Sequence, residues 1–414
     1  MALHIATKRV LVSELKPGMY ISSLDRPWLE TPFLMQGFLI HNQGDIEDIA
    51  KYCSYVEIDI ALSKTFDNSN PANIIENQDN SKEIAKLLPH RKLRNYQDQT
   101  TIEEELKHAK LIIEEMALTI ANVFLRAQSQ STINVTEVRE AVTPMVESIS
   151  RNPDACIWLT RLRNSDDYTY QHAISSSIWA VALGRHLGFP RADLETIAIG
   201  VTLFDIGKMS LPIDLLHKRG RLNHEEFEKI KSHVPLGLEQ LEKAGGINNS
   251  IRDIVSYHHE RHDGTGYPNG LKGNEIPVFA RIAAIADCYD AITTKRPYAH
   301  AISPVAAIQK LYEWRDAAFQ SVLIEEFIQA IGIFPAGTLV ELTNGEVGVV
   351  LAEYRTRRLR PKIIQLLDKD KRPLPNYKVI DLLVTTEDEL GRPLSIKESL
   401  EPGSYNLYLE SLNL

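Results

Sequence analysis

Two adjacent histidines, followed by a turn rich in glycine and proline, are the residues of this sequence best suited to chemistry. The segment from Tyr257 to Pro268 reads Tyr-His-His-Glu-Arg-His-Asp-Gly-Thr-Gly-Tyr-Pro and begins at the end of a helix-like pattern. Neighbouring positions of an α-helix point about 100° apart, because one turn takes 3.6 residues. His258 and His259 therefore do not easily chelate one ion from a straight helix. They can serve two adjacent ions, or one ion and its bound substrate, and such a cluster suits phosphate-ester chemistry.

Further imidazoles and carboxylates recur in or beside apolar helical patterns. Desolvating an isolated carboxylate is costly, so Asp205 and Asp287 in apolar surroundings indicate pairing or metal ligation. Mixed imidazole and carboxylate donors suit iron, manganese or zinc better than magnesium or calcium. Any one of these histidines alone is more often a core or surface residue, but together they favour a metal centre. The candidate metal ligands are His172, Asp205, His233, His258, His259 and Asp287.

Length and composition describe an ordinary globular protein. The chain has 414 residues, 43% of them hydrophobic and 24% charged, and this length predicts two or three domains. The net charge is −9 without a basic block, which argues against a general nucleic-acid-binding protein but allows a local pocket for a small anion. The three cysteines are widely separated, as in a reducing compartment. No apolar run approaches the ~18 residues of a membrane span and the N-terminal residues lack the apolar region of a signal peptide, so we expect a cytoplasmic protein without a membrane contact.

Hydrophobic periodicity divides the chain into four parts and predicts a mainly α protein. Thr101 and Glu104 form a capping-box pattern at the start of the longest helical region. Asn344-Gly345 predicts the turn of a β-hairpin after that region ends. A stretch rich in Asn, Asp, Gln and Ser has the composition of a mobile linker. The predicted parts are a small β-rich N-terminal domain (1–62), a flexible linker (63–100), an all-helical domain (101–332) and a β-rich C-terminal extension (333–414).

The motifs of the helical region resemble those of the HD-GYP family, a branch of the HD-domain metal-dependent phosphohydrolases. The resemblance covers roughly residues 152–332, and the first sixty residues resemble a small domain of unknown function often fused ahead of HD-GYP domains. The motifs that carry the family resemblance are Asp167-Tyr-Thr-Tyr-Gln-His172, Asp205-Ile-Gly-Lys208, His233 with Gly237, His258-His259-Glu260, Asp263-Gly-Thr-Gly266-Tyr267-Pro268, Asp287 with Asp290-Ala291, and Arg296-Pro297-Tyr298.

The resemblance implies an all-helical HD-type fold and hydrolysis of the bacterial second messenger cyclic di-GMP to the linear dinucleotide or GMP. It implies two divalent metal ions, iron or manganese, held by the six candidate ligands with Asp205 as the bridge. It places Lys208 at the phosphate or the leaving oxygen, and Tyr267 and Arg296 at the ligand, so Asp205 and Lys208 are the predicted catalytic residues. Diguanylate cyclases and other signalling proteins are the implied protein partners. Lys208 as a helix-dipole partner and Arg296 as a surface arginine stay open as alternatives.

The sequence departs from the family at the histidine of the His-Asp pair, where this chain has Phe204-Asp205. Phenylalanine cannot coordinate a metal. By the resemblance, the missing histidine belongs to the ion also held by His172 and Asp287, which leaves one intact and one weakened site. Two hypotheses remain: an active but slow phosphodiesterase, or a degenerate module that binds cyclic di-GMP or a partner protein without hydrolysis. A homodimer through the helix that begins near Thr101 also stays open, because helical bundles show the same pattern.

Overall fold

The computed structural model describes most of the chain as two compact units. The described residues are 7–26, 38–40, 43–59, 63, 81–89, 91–129, 133–161, 168–218, 220–294, 301–354 and 359–407. One unit comprises Met1–Ser81 with Tyr354–Leu359, and the other comprises Lys82–Glu353 with Arg360–Leu414. Among the helices in these ranges, none combines the length and the apolar character needed to cross a bilayer.

The first unit contains a small antiparallel sheet and one helix. Its strands are β1 (Thr7–Leu11), β2 (Tyr20–Leu24), β3 (Phe38–Leu39) and β4 (Tyr55–Asp59), in the order β1-β4-β2-β3. Fully buried Ile21, Val56 and Ile58 form part of its core. The sequence did not predict helix α1 (Gln43–Ala50), because only Ile46 and Ile49 mark its buried face and so short a pattern does not define a period.

Helices dominate the second unit, and the prediction of a mainly α protein with β-rich ends is confirmed. Three helices, α6 (Tyr168–His186), α7 (Arg191–Leu203) and α12 (Val278–Thr293), are buried on almost all sides, which is typical of central helices. The predicted capping box is present, since the Thr101 side chain accepts from the Glu104 amide and the Glu104 side chain accepts from the Thr101 amide. The helices after α1 are α2 (Ser81–Leu87), α3 (Ile102–Gln128), α4 (Val135–Arg151), α5 (Pro153–Arg161), α6 (Tyr168–His186), α7 (Arg191–Leu203), α8 (Ile213–Leu216), α9 (His224–Lys231), α10 (His233–Ala244), α11 (Asn249–Tyr257), α12 (Val278–Thr293), α13 (Pro304–Glu313) and α14 (Ser321–Ile331).

A second antiparallel sheet follows the helices and belongs to the same compact unit. The hairpin predicted at Asn344-Gly345 is confirmed, since it joins the first two strands of this sheet and Gly345 adopts a φ of 87°. The strands are β5 (Leu339–Leu342), β6 (Val347–Ala352), β7 (Lys362–Leu367), β8 (Pro373–Asp381) and β9 (Ile396–Ser399). Their order in the sheet is β8-β7-β6-β5-β9.

The end of the segment predicted as a flexible linker is held against the helices. The Arg94 amide donates to the Gly188 carbonyl at 2.7 Å, and the Gln99 amide donates to the Arg151 carbonyl at 2.9 Å. Helix α2 also falls within the predicted linker. Residues 64–80 of that segment lie outside the described ranges. Composition alone does not show these contacts, because irregular backbone satisfies its hydrogen bonds with partners distant in sequence.

Candidate metal centre

A close approach of two backbone segments places the candidate ligands Asp205 and His233 together. Helix α7 ends at Leu203, and Asp205 lies in the turn before the 3₁₀ segment Ile206–Ser210. A Cβ atom on Gly207 would overlap the carbonyl oxygen of His233, the first residue of α10. Glycine therefore allows the 3₁₀ segment and α10 to touch, and His233 comes to lie beside Asp205.

The two adjacent histidines converge instead of diverging. Helix α11 ends at Tyr257, so His258 and His259 are not held in the register of a continuing helix. Their ring centroids are 4.1 Å apart. The expectation from a straight helix, that the two rings cannot easily reach one ion, is therefore wrong here. Both belong to a group that could hold a metal ion, in which one ligand atom of each residue lies within 4.8 Å of the others. This Asp205 group consists of Asp205, His233, His258 and His259.

The buried carboxylate of Asp205 has an oxygen that the protein itself does not satisfy. Asp205 is 1% exposed, and its Oδ1 makes no hydrogen bond. The nearest metal-ligating atoms of the group are His233 Nε2 at 3.4 Å and His258 Nε2 at 3.9 Å from this oxygen. A buried, unpaired carboxylate oxygen is costly, and a cation at this point would remove that cost. The side chains present therefore fit a metal ion.

Backbone carbonyls orient two imidazoles of the Asp205 group. His233 Nδ1 is 2.7 Å from the Ile230 carbonyl oxygen, and His258 Nδ1 is 3.0 Å from that of Val255. These contacts assign the proton to Nδ1 in each ring and leave the Nε2 lone pair facing Asp205, the arrangement that metal-binding histidines require. Burial lowers the pKa of His233 to about 4 and lowers the pKa of His258 as well, so both rings are neutral near pH 7.

His172 sits in a different environment, between two carboxylates of α12. Its Nε2 is 2.9 Å from Asp287 Oδ1, and its Nδ1 is 2.7 Å from Asp290 Oδ2. Burial opposes charge on the ring, but the hydrogen bonds to the two carboxylates outweigh it and raise the pKa of His172. Asp205 Oδ2 lies 3.9 Å from His172 Nε2. We call His172, Asp287 and Asp290 the His172 group.

Asp290 is the functional candidate whose role sequence reasoning missed. It orients His172, and its second oxygen accepts from Trp179 Nε1 at 3.3 Å. A signal was present, because Asp290 follows Asp287 by three residues and therefore lies on the same face of an apolar helix. The pKa of Asp287 falls to about 2: burial acts to raise it, but the hydrogen bond and charge of His172 outweigh that effect.

Lys208 and Phe204 complete the surroundings of Asp205. Lys208 Nζ lies 2.6 Å from Asp205 Oδ2, on the oxygen that also faces His172. Burial acts to raise the pKa of Asp205, but the charge of Lys208 and of the nearby histidines holds it well below its ordinary value. The fully buried Phe204 ring lies with its centroid 4.7 Å from that of His258 and 5.8 Å from that of His172. An apolar ring thus stands between the two groups.

The glycine-rich loop brings the Tyr267 ring into contact with His259 of the Asp205 group. The Tyr267 ring stacks on His259 with centroids 4.6 Å apart. Gly266 permits this path, since a Cβ there would lie 2.5 Å from the His259 carbonyl oxygen. The buried Glu260 carboxylate accepts from the amides of Asn269 at 2.7 Å and Leu271 at 3.0 Å, and so closes the loop.

The electrostatics of Tyr267 keep its phenol protonated. Burial and the negative charges of Asp287 and Asp205 raise its pKa, so the hydroxyl can act as a hydrogen-bond donor. Of the predicted site residues, the structure brings together the six candidate ligands, Lys208 and Tyr267. Arg296 lies outside the described residues.

The chain is similar to known proteins along most of its length. An "HD domain" family model matches residues 145–320, and a "Domain of unknown function (DUF3391)" model matches residues 7–138. Cyclic di-GMP phosphodiesterase PA4108 of Pseudomonas aeruginosa is 32% identical over 91% of this chain and 89% of its own length. Cyclic di-GMP phosphodiesterase response regulator RpfG of Xanthomonas campestris is 27% identical over 70% of this chain and 80% of its own length. The solved structure of Bd1817, an HDG"Y"P protein from Bdellovibrio bacteriovorus, covers 78% of this chain and 98% of its own at 17% identity and a TM-score of 0.46.

These findings define the chain first as an HD-domain protein with an N-terminal DUF3391 region. Within that class, the 32% sequence identity with PA4108 along nearly the whole of both chains shows its family. The chain belongs to the HD-GYP family.

Proposed function

We propose that this chain is a metal-dependent phosphodiesterase that hydrolyses cyclic di-GMP to the linear dinucleotide or GMP and so controls the level of the messenger. The observation that carries the proposal is the buried Asp205 Oδ1, which has no hydrogen-bond partner and faces two imidazole Nε2 atoms. The homology to proteins named for this activity supports the choice of substrate.

The proposed cofactors are two divalent ions, iron or manganese, because the donors are a mixture of imidazole and carboxylate. The Asp205 group would hold one ion. His172, Asp205 and Asp287 would hold the other, more weakly, because Phe204 offers no donor atom. Bound ions of this kind lower the pKa of a water molecule and neutralise charge on the phosphoryl oxygens.

The side chains of the centre suit the remaining roles in this reaction. Asp205 presents Oδ1 to the imidazoles of His233 and His258 and Oδ2 towards His172, which suits a bridging carboxylate. The Lys208 ammonium, on a flexible stem, would turn from Asp205 to a non-bridging or departing phosphate oxygen.

Two further residues would bind the substrate. The protonated Tyr267 hydroxyl would donate a hydrogen bond to a substrate oxygen. We propose that Arg296, whose planar guanidinium suits a phosphate, binds the second phosphate of the dinucleotide.

Phe204 favours a second candidate function. A fully buried phenyl ring between the two groups removes one donor from the centre. A chain with one ion could bind cyclic di-GMP, or a partner such as a diguanylate cyclase, without hydrolysing the messenger. This candidate keeps the Asp205 group and differs from the first candidate in that it lacks turnover.

Metal counting combined with product analysis separates the two functions. The full chain would be purified without oxygen, loaded with Fe²⁺ or Mn²⁺, analysed for metal per chain and incubated with cyclic di-GMP. We expect linear dinucleotide or GMP to accumulate. Tight binding with no product over hours would overturn the phosphodiesterase and support the binding module. His108→Gln, which changes an exposed histidine of α3, is the matched control and should leave both readouts unchanged.

A further inference from the structure

An exposed aromatic side chain lies beside the metal centre, and the proposed reaction leaves it without a role. Phe227 of α9 is 43% exposed. Its ring meets the Tyr267 ring edge to face, with centroids 6.2 Å apart and an interplanar angle of 84°. Tyr267 in turn stacks on His259. Phe227 is therefore two ring contacts away from a candidate metal ligand.

The hydrophobic core does not explain Phe227. Helix α9 reads His-Glu-Glu-Phe-Glu-Lys-Ile-Lys, and none of its residues is buried. A large aromatic side chain on such a polar helix stabilises the fold little, because it keeps much of its surface in water. Small-molecule sites are lined mainly by hydrophobic and aromatic side chains, so a ligand contact is a role that suits Phe227.

A lysine stands over both rings. Lys231 Nζ lies 4.8 Å from the Phe227 centroid and 5.4 Å from the Tyr267 centroid, within the range of cation–π attraction. The same ammonium pairs with Glu228 Oε1 at 2.6 Å. An ammonium has three N–H donors, so this pair leaves donors for a ligand. The surface formed by Phe227, Lys231 and Tyr267 thus combines an open aromatic ring with a cation.

We propose that Phe227 and Lys231 form a purine subsite of the same centre, an inference that rests on the proposed function. Phe227 stacks on one base of the cyclic dinucleotide while its phosphate lies at the Asp205 group. Lys231 donates to O6 and N7 of that base, the acceptor pair that guanine presents to basic side chains. Adenine carries an amino donor in place of O6, so the ammonium selects guanine. Phe227 supplies affinity for either purine, because stacking does not depend on the base.

The two residues make different predictions, which variants of the full metal-loaded chain can separate. Phe227→Leu should raise KM for cyclic di-GMP about tenfold with a much smaller change in kcat, and Phe227→Trp should restore KM. Lys231→Met should lower the ratio of kcat/KM for cyclic di-GMP to that for cyclic di-AMP about tenfold, and Lys231→Arg should restore the ratio. The matched controls are Tyr377→Leu on β8 and Lys243→Met on α10, both exposed positions.

Each outcome bears on one proposal or on both. If the wild-type chain turns over the messenger while Phe227→Leu and Lys231→Met behave like their controls, the subsite is overturned and the proposed function stands. If the wild-type chain neither binds nor hydrolyses cyclic di-GMP, the proposed function fails. If it binds without hydrolysis, dissociation constants for the two dinucleotides replace KM and kcat/KM, and the same shifts are expected.

Discussion

The two groups of the candidate metal centre use the same residue types but reach opposite electrostatic states. In the Asp205 group, backbone carbonyls orient the rings of His233 and His258, burial lowers their pKa values, and Asp205 Oδ1 has no partner. In the His172 group, both ring nitrogens already contact carboxylates and the pKa of His172 is raised. The Asp205 group has a carboxylate oxygen that a cation would satisfy, whereas the His172 group already forms ion pairs within itself.

Ligand identity alone therefore does not define a metal site. A neutral imidazole with a free lone pair can bind a cation at once. A protonated histidine must first lose a proton and break its hydrogen bond to a carboxylate, which opposes binding. Phe204 lies between the two groups and adds no donor to either. We therefore expect the first ion to bind to the Asp205 group and the second to bind less tightly.

Removal of the Asp205 carboxylate should have the largest effect on metal content and turnover. Asp205→Asn removes the negative charge that belongs to the Asp205 group and also faces His172, so both ions and turnover should be lost. The fall in kcat should exceed the roughly 10–100-fold typical of changes to residues that only orient a ligand. Metal analysis and product chromatography measure the two losses. Asp214→Asn on α8 is an exposed control, and equal losses in that variant would count against a bridging role.

Acidification of the metal-free chain should change the stability contributions of His233 and His172 in opposite directions. The pKa of folded His233 is about 4, below its ordinary value of 6.5, so the unfolded chain takes up a proton that the folded chain excludes. The titration of His233 should therefore lower the free energy of unfolding by about 2 kcal/mol as the pH falls from about 7 to about 5. The pKa of His172 is raised in the folded chain. Its stabilising contribution is therefore present below pH 6.5 and is lost as the pH rises through the folded-state pKa.

Denaturant unfolding of the chelator-treated protein at the two pH values tests this contrast. His233→Gln should reduce the loss of stability on acidification, whereas His172→Gln should increase it. Glutamine keeps a hydrogen-bonding group at each position but does not titrate. Changes of the same sign in both variants would show that the two histidines do not differ in charge.

A donor at position 204 should make the two groups more alike. Phe204→His would add an imidazole between His258 and His172, and we expect up to one additional ion per chain and a rate increase of roughly tenfold. Phe204→Leu, which also removes the ring but adds no donor, separates ligation from packing. No gain in metal or rate in the histidine variant would mean that the weakened site lies elsewhere.

Loosening the glycine-rich loop should affect only the Asp205 group, with the smallest effect. Glu260→Gln replaces one of two acceptors by an NH₂ that faces a backbone amide, and an unmatched buried group costs about 1–3 kcal/mol. We expect faster amide exchange at Asn269 and Leu271 and a severalfold increase in KM. Glu239→Gln on α10 provides an exposed control. Unaltered exchange at both amides would contradict the anchoring role of Glu260.

Sequence patterns were sufficient to predict the helical class, the capping box at Thr101, the hairpin at Asn344-Gly345 and the identities of the candidate ligands. These features are local, or depend on residue types that are rare in apolar helices unless they are paired. It also pointed to Phe204 as the position that breaks the family pattern.

How those residues divide into groups depends on the packing of the helices. Asp290 engages His172, and Phe227 meets Tyr267, through contacts between elements that are far apart along the chain. The protonation of His172 and His233 depends on burial and on neighbouring charge, which the residue type does not specify. Which histidine can accept a cation is therefore a property of the packed helices, because packing sets the partners of each ring nitrogen.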